Sequence, residues 1–244
     1  MNYAYAIIEK VSLLNGLADP EMFCFYIPAL RRLLNDHGIF EGAYAPRLSK
    51  QLPFVYDLLR QDPDSRRAVM TVFSSLLDHH PSKDIPCTLS LQFLLRDGRL
   101  TLIVNMRSSD VYLGLPYDVQ QFTFLQQLMA YWLGVEPGPY HHIAGSAHIY
   151  EKDLPAINEV LKKPNELNSQ TEPPIDIGFE SRSQQIDAFF KIEKELRLGR
   201  IQDPADSAMF HYLGDYLSCC IHKVSDFIQR RARSGTQLRL TVPL

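Results

Sequence analysis

Four short segments of this chain carry residue types that could attack as nucleophiles, bind anions or transfer protons. They are Pro63-Asp64-Ser65-Arg66-Arg67, Pro86-Cys87, Arg107-Ser108-Ser109-Asp110 and His148-Ile149-Tyr150. Taken singly, each has a common structural explanation, since a lone cysteine is usually a small buried apolar group and an arginine pair usually a solvated surface. The chain shows no metal-binding pattern, because the adjacent His141 and His142 cannot both face one ion from a strand.

The elements that must position these segments are both helical and extended. Two apolar segments, 89–95 and 100–106, flank Asp97-Gly98 and predict a β-hairpin. Apolar positions on one face predict a helix over 119–133. The mostly apolar segment Tyr5–Leu14, followed by Asn15-Gly16, predicts another helix. We therefore expect a mixed α/β (α+β) fold with helices around a core of strands.

The C-terminal part offers one further helix and one candidate boundary. Asp203-Pro204 predicts the start of the last helix, with aspartate as N-cap and proline at the first position. The polar segment Asn165–Pro174 is interpreted as a loop. We do not divide the chain there and expect one domain over residues 1–244.

Composition narrows the classes of protein. Hydrophobic residues make up 45% of the 244 residues and the formal net charge is −3, which indicates a globular chain. Since there is no overall basic field, we expect neither a nucleic acid nor a membrane as partner. The four cysteines form no C-x-x-C pair, which favours reduced thiols in a cytoplasmic compartment.

Order and spacing of the four segments carry more information than any one of them. Together with Gly114-Leu115-Pro116-Tyr117-Asp118, they resemble the thymidylate synthase superfamily; the run RSSDVYLGLPYD, then a helix, then HIY carries most of the resemblance. The likeness lies within residues 1–150, from about Tyr5 to Tyr150, and residues 151–244 look divergent. It implies a thymidylate synthase-like mixed β-sheet, flanked by helices, that packs against its partner across a dimer interface.

The resemblance also implies a set of roles. Cys87 would attack C6 of a pyrimidine nucleoside monophosphate, and a nearby Arg107 would lower the pKa of its thiol. Glu9 would order water and relay protons, and Tyr44 would lie near C5 of the base. The one-carbon donor would be 5,10-methylenetetrahydrofolate.

The remaining roles concern the phosphate, the sugar and the folate. Arg107 and Ser108 would hold the phosphate, joined across the homodimer interface by Arg66 and Arg67 of the partner subunit. His148 and Tyr150 would bond the sugar hydroxyl, and Asp110 would face the pterin ring of the folate.

Asp118 indicates which base is used. Methylating members of the family usually have asparagine there, which donates to O4 of uracil and accepts from N3–H. An aspartate can accept from the exocyclic amine of cytosine and share a proton with N3. The resemblance is therefore to deoxycytidylate hydroxymethylases, and the expected activity is 5-hydroxymethylation of dCMP or CMP.

Two alternatives stay open at this point. One is a thymidylate synthase that methylates dUMP. The other is a nucleotide-binding relative without catalysis. It is motivated by Ser12 in place of the family's tryptophan, and by the lack of a counterpart, ahead of Glu9, for a further phosphate-binding arginine.

Overall fold

The chain packs as two compact units, Met1–Thr171 and Glu172–Leu244. A computed structural model describes residues 1–162 and 173–234. Most of the expected loop Asn165–Pro174 lies outside the described residues. A single domain over residues 1–244 stays a prediction.

The first unit alternates helices with the strands of a mixed sheet. Its α-helices and strands are α1 (Tyr3–Asn15), α2 (Pro20–Tyr26), α3 (Ala45–Leu48), α4 (Leu52–Gln61), β1 (Val69–Thr71), β2 (Thr88–Arg96), β3 (Arg99–Met106), β4 (Ser109–Asp110), α5 (Gly114–Leu133), β5 (Glu136–Ala144), β6 (Ala147–His148) and α6 (Leu154–Leu161). A 3-10 helix, Pro28–Leu33, follows α2, and another, Glu151–Asp153, precedes α6.

The predicted hairpin is confirmed as β2 and β3. Asp97 and Gly98 both take positive φ angles, 50° and 70°, which a two-residue hairpin turn requires. The four-stranded sheet has the order β1-β2-β3-β5, antiparallel except for the parallel β3–β5 pair, so it is mixed as expected.

One face of this sheet is buried and the other is open in the single chain. On β3, the apolar residues at even numbers are buried under α5 and alternate with half-buried ones. The opposite face presents apolar side chains to solvent, among them Leu89 on β2 and Ile143 on β5, the latter 52% exposed. Exposed apolar side chains on one sheet face are typical of an interaction surface.

The helix that carries Glu9 is anchored at both ends by its own sequence. The Asn2 side chain caps α1 by accepting from the Tyr5 N–H, and Gly16 ends the helix in the left-handed region at φ 78°. The Asn2 N–H also donates to the Tyr117 hydroxyl at 2.7 Å, which joins the start of α1 to α5. The two helices that bear the predicted carboxyl groups are therefore fixed to each other.

The second unit corrects one prediction. Asp203-Pro204 opens only a 3-10 turn, Pro204–Asp206, and the long helix begins later, as α8 (Asp215–Arg233), after α7 (Arg182–Arg197) and a second 3-10 turn (Phe210–Tyr212). The cap of α8 comes from far along the chain: the Asp176 carboxylate accepts from the Asp215 and Tyr216 N–H groups at 2.6 and 3.1 Å. Local sequence does not reveal such a cap.

Gly214 is the residue that permits this cap. A Cβ there would lie 2.3 Å from Asp176 Oδ2, so Gly214→Ala is expected to displace the carboxylate. Loss of a helix cap typically costs about 1–2 kcal/mol of the free energy of unfolding, and the clash adds to this. Chemical denaturation would measure it. Gly178→Ala is the control, because its Cβ would meet only the Ser181 hydroxyl; equal stability of both variants would contradict the capping role.

Candidate active site

A cavity of about 460 Å³ opens in the first unit, within the size range of small-molecule sites. Its polar lining includes residues of α1, α5 and the connecting loops, namely Tyr5, Glu9, Tyr44, Asp84, Asp110, Tyr117, Asp118, Gln121 and Tyr150. Five predicted site residues, Glu9, Tyr44, Asp110, Asp118 and Tyr150, therefore face one cavity.

Glu9 is a buried carboxyl group with one oxygen engaged. Its Oε1 accepts from the Tyr5 hydroxyl at 3.1 Å, whereas its buried Oε2 meets no hydrogen-bond partner among the described residues. Burial, reinforced by the negative charge of Asp118, raises the pKa of Glu9 to about 8, against the lowering effect of the Tyr5 hydrogen bond. The group can hold or release a proton near neutral pH.

Asp118 is the second buried carboxyl group. Its Oδ1 accepts from the Gln121 side-chain N–H at 3.1 Å, one helical turn further along α5. Burial raises the pKa of Asp118 to about 7, although the hydrogen bond from Gln121 opposes the shift. Asp118 therefore exists both as an acid and as a carboxylate at neutral pH.

Tyr44 links the cavity to the predicted nucleophile. Its hydroxyl accepts from the Thr88 N–H at 3.3 Å, directly after Cys87, and its ring stacks on Phe122 of α5. Burial, and then the charge of Asp118, raises the pKa of the Tyr44 phenol, so it remains a neutral hydroxyl.

The hairpin brings Cys87 and Arg107 together. Thr88 pairs with Met106, and the Arg107 N–H donates to the Cys87 carbonyl at 2.9 Å, so both residues lie just beyond the paired ends of β2 and β3. The guanidinium donates to the carbonyls of Ile85 and Pro86, each at 3.0 Å, and one of its nitrogens lies 3.8 Å from Cys87 Sγ.

The pKa of the Cys87 thiol is set by burial as well as by Arg107. Arg107 does lower the pKa of the thiol, but burial outweighs it, and the net shift is upward. Asp118, Asp84 and Asp110 add negative charge that also opposes the thiolate. Arg107 therefore makes the thiolate of Cys87 easier to form than burial alone would allow, but the thiol remains the favoured form.

The pairing of β4 and β6 places Asp110 beside His148. Asp110 Oδ1 accepts from the N–H groups of Tyr112 and Leu113 at 3.0 and 3.2 Å, which fixes the carboxylate at the cavity wall. Tyr150 lines the cavity, whereas His148 is not part of the lining; the two rings meet edge-to-face with centroids 5.0 Å apart.

Four predicted phosphate ligands lie outside the cavity lining. Arg107 is exposed and Ser108 half-buried, both next to Cys87 along the hairpin. Arg66 and Arg67 are exposed just before β1, where the Arg66 carbonyl accepts from the Gln92 side chain at 3.0 Å. Crossing of Arg66 and Arg67 to a partner subunit stays a prediction.

Sequence reasoning assigned no role to several polar residues of the cavity lining, namely Tyr5, Arg32, Asp84, Tyr117 and Gln121. Tyr5 precedes Glu9 by four positions and Gln121 follows Asp118 by three, so helical spacing could have revealed both. Asp84 could not have been found this way: it stands in the loop before Cys87, where its Oδ2 accepts from the Gly42 N–H at 2.9 Å. Gly42 is required there, because a Cβ would lie 2.6 Å from the Asp84 carbonyl.

The lining also fits a folate ring. Apolar side chains from α1, α2, the 3-10 helix after it and the adjoining loop residues line the cavity: Leu13, Phe23, Ile27, Leu30, Leu33 and Phe40. The fixed carboxylate of Asp110 stands at the same cavity and can accept from ring N–H groups. These apolar side chains, together with the Asp110 carboxylate, suit a pterin ring.

Other sequence expectations concern metals, thiols and membranes. Over residues 1–162 and 173–234, no group of three or more potential ligands could hold a metal ion. All four cysteines are free. None of the described helices has the length and apolar character needed to span a bilayer.

Comparison with known proteins identifies the family. The thymidylate synthase family model matches residues 39–196, so this chain belongs to the thymidylate synthase family. The matched range starts and ends later than the stretch Tyr5–Tyr150 that carries the sequence resemblance. Glu9 therefore lies ahead of it, and its role stays a prediction.

Individual relatives point in the same direction. The chain is 33% identical over 200 residues to a deoxyuridylate hydroxymethyltransferase of Bacillus phage SP01, covering 74% of this chain and 52% of the relative. It is 30% identical over 161 residues to a protein of the same name from Pseudomonas phage M6. That match covers 63% of this chain and 46% of the relative. The chain thus spans about half the length of these relatives.

A solved structure supports the fold. Thymidylate synthase from T4 phage superposes with a TM-score of 0.58 at 21% identity, covering 67% of this chain and 64% of the other. The expected thymidylate synthase-like mixed sheet flanked by helices is confirmed. The two named relatives act on deoxyuridylate, so a specific closeness to deoxycytidylate enzymes is not supported by them.

Proposed function

We propose that this chain transfers a hydroxymethyl group to C5 of a pyrimidine nucleoside monophosphate, with cytosine as the preferred base. The observation that carries the proposal is the meeting of two buried carboxyl groups, Glu9 and Asp118, at one cavity with Tyr44, whose hydroxyl bonds the residue after Cys87. When bound, 5,10-methylenetetrahydrofolate supplies the one-carbon unit. A non-catalytic nucleotide-binding role is disfavoured, because binding alone does not need Cys87, Glu9 and Arg107 together.

Covalent attack needs a thiolate and a proton donor at opposite ends of the base. Addition of Cys87 to C6 moves electrons through C5 and C4 onto N3 of cytosine, or onto O4 of uracil. Asp118, with its pKa raised to about 7, can deliver the proton that neutralises this charge. Activated C5 can then take up the one-carbon unit.

The base preference rests on Asp118. The developing N3 anion of cytosine needs full proton transfer, which a carboxylic acid can provide and an amide cannot. A carboxylate oxygen of Asp118 also accepts from the exocyclic amine of cytosine. Because the group is buried, a base that leaves it unpaired is disfavoured.

Uracil is the second candidate base, favoured by the deoxyuridylate substrates named for the two phage relatives. Protonated Asp118 can donate to O4 while its other oxygen accepts from N3–H. Ionised Asp118 would instead repel O4. Uracil use by this chain thus depends on the protonated form alone.

Hydroxymethyl rather than methyl transfer is supported by the names of the relatives and by Glu9, whose second oxygen is available to bind water. The two outcomes differ in the fate of the folate. Methyl transfer oxidises it to dihydrofolate with a rise in absorbance, whereas hydroxymethyl transfer leaves tetrahydrofolate. We expect nucleotide turnover without that rise; a stoichiometric rise would establish the methylating alternative.

A homodimer is part of the proposal. The open face of the sheet, with Leu89 and Ile143 exposed, is the surface that a second copy would cover. Arg66 and Arg67 are exposed and do not line the cavity of their own chain. Their exposure would allow them to bind the nucleotide phosphate in the site of the partner subunit.

Mixing two inactive variants tests this arrangement. Cys87→Ala keeps both arginines, and Arg66→Ala/Arg67→Ala keeps the nucleophile. If the arginines cross, each hybrid dimer has one intact site, and an equimolar, re-equilibrated mixture recovers about a quarter of wild-type activity. Rates are measured before and after subunit exchange. Failure to recover activity, with hybrid dimers demonstrated by native mass spectrometry, would show that the arginines do not cross.

A further inference from the structure

Tyr5 shares the cavity-facing side of α1 with Glu9, four residues further along. The Tyr5 side chain is buried, Glu9 is half-buried with its Oε2 atom buried, and the Tyr5 hydroxyl donates to Glu9 Oε1 at 3.1 Å. A carboxyl group bonded at one oxygen only is restrained in orientation without being saturated, since each oxygen can accept two hydrogen bonds.

The Tyr5 ring is itself held by its surroundings. It meets Phe23 edge-to-face at 5.8 Å and Tyr117 edge-to-face at 5.4 Å. Its backbone N–H is bonded to the Asn2 cap, and the Asn2 N–H donates to the Tyr117 hydroxyl at 2.7 Å. The hydroxyl of Tyr5 therefore reaches Glu9 from a fixed direction.

Glu9 is left with one reactive oxygen. Oε2 is buried and has no hydrogen-bond partner among the described residues, although the carboxyl group borders the cavity. Three other titratable groups raise the pKa of Tyr5 or Glu9 through their charge. They are Asp118 and Tyr117 from α5 and Asp84 from the loop before Cys87. An unpartnered carboxyl oxygen beside a substrate cavity is suited to accept a proton from water.

We propose that Tyr5 is a positioning residue for the step in which water captures the one-carbon unit, because it holds Glu9 Oε1 and leaves Oε2 to bind that water. This inference rests on the proposed hydroxymethyl transfer. Tyr5 acts through Glu9 and does not itself touch the reacting atoms.

The step balances without a further reagent. The water oxygen bonds to the exocyclic methylene carbon on C5, and its proton passes to Glu9 Oε2. The electrons of the methylene double bond move back into the ring, re-form the C5=C6 bond and expel the Cys87 thiolate from C6. Glu9 then releases its proton to solvent, so nothing is oxidised or reduced.

Tyr5→Phe tests the inference, because it keeps the ring contacts and removes only the hydroxyl. We expect kcat for hydroxymethylation to fall roughly tenfold with an unchanged nucleotide KM. Loss of the donated hydrogen bond also raises the pKa of Glu9, so the pH at which activity becomes half-maximal on the alkaline-rising limb moves upward. A merely structural residue would not move that limb.

Tyr131→Phe is the matched control. It removes the hydroxyl of a half-exposed tyrosine of α5 that lies outside the cavity lining, and it is expected to leave the rising limb in place. An unchanged kcat and limb in Tyr5→Phe, with an active wild type, would overturn the role of Tyr5 alone. A wild type that makes no hydroxymethyl product from any pyrimidine nucleotide would overturn the proposed function and this inference with it.

Discussion

The Cys87→Ala variant is expected to lose turnover by at least about 10⁴-fold, because the side chain supplies the covalent bond to C6 on which the proposed reaction depends. Initial rates of product formation measure this directly. The fold should survive, since Cys87 is only half-buried and its backbone pairing with Arg107 does not need the thiol. Nucleotide affinity within a few-fold of wild type would show an intact site.

Cys219→Ala is the matched control for this variant. It removes another free, half-buried thiol, on α8, outside the cavity lining. We expect it to retain the wild-type rate. Retention of the rate by Cys87→Ala as well would exclude the covalent mechanism.

Asp118→Asn is expected to shift the ratio of kcat/KM for cytosine to that for uracil by at least about 100-fold toward uracil. Asparagine can donate a hydrogen bond to O4 as charge develops there, but it cannot give N3 of cytosine the proton that it needs. Gln121 remains available to hold the oxygen side of the new amide, as it now holds Asp118 Oδ1. Competition between dCMP and dUMP in one reaction measures the ratio, and an unchanged ratio would remove Asp118 as the specificity residue.

The same variant also tests how kcat/KM for uracil depends on pH. The pKa of Asp118 is raised to about 7, so the proton-bearing form predominates below that pH and is lost as the pH rises above it. In the wild type, loss of this proton should therefore lower kcat/KM for uracil on the alkaline side of the pH profile. Asp118→Asn has no such proton to lose, and its uracil profile should lack this decline. The substrate phosphate titrates in the same way in the assays of the wild type and of Asp118→Asn, so a difference between the two profiles reports on residue 118.

The sequence indicated which residues gather at the cavity, and their catalytic and binding roles stay predictions. Spacing of the motifs and the helix pattern correctly indicated a mixed sheet, the hairpin and a long α5, and Glu9, Tyr44, Asp110, Asp118 and Tyr150 do meet at one cavity. Arg107 lowers the pKa of Cys87 as expected, but burial raises it by more, and burial depends on packing that no local pattern reveals.

Long-range details account for the other differences. A register shift between Thr88 and Ser90 brings Cys87 opposite Arg107; a regular hairpin continued from the Arg96–Arg99 pair would have set Ser108 there. The start of α8 depends on Asp176, some forty residues earlier, so capping signals at Asp203-Pro204 predicted the wrong position. Both effects arise from tertiary contacts.

Mass analysis of the products tests the central claim most directly. The chain is incubated with 5,10-methylenetetrahydrofolate and, in separate reactions, dCMP, CMP or dUMP. We predict a gain of CH₂O on a cytosine nucleotide, absent with Cys87→Ala, and the better of dCMP and CMP identifies the sugar. A gain of CH₂ on dUMP alone, or nucleotide binding with no product from any of the three, would contradict the account.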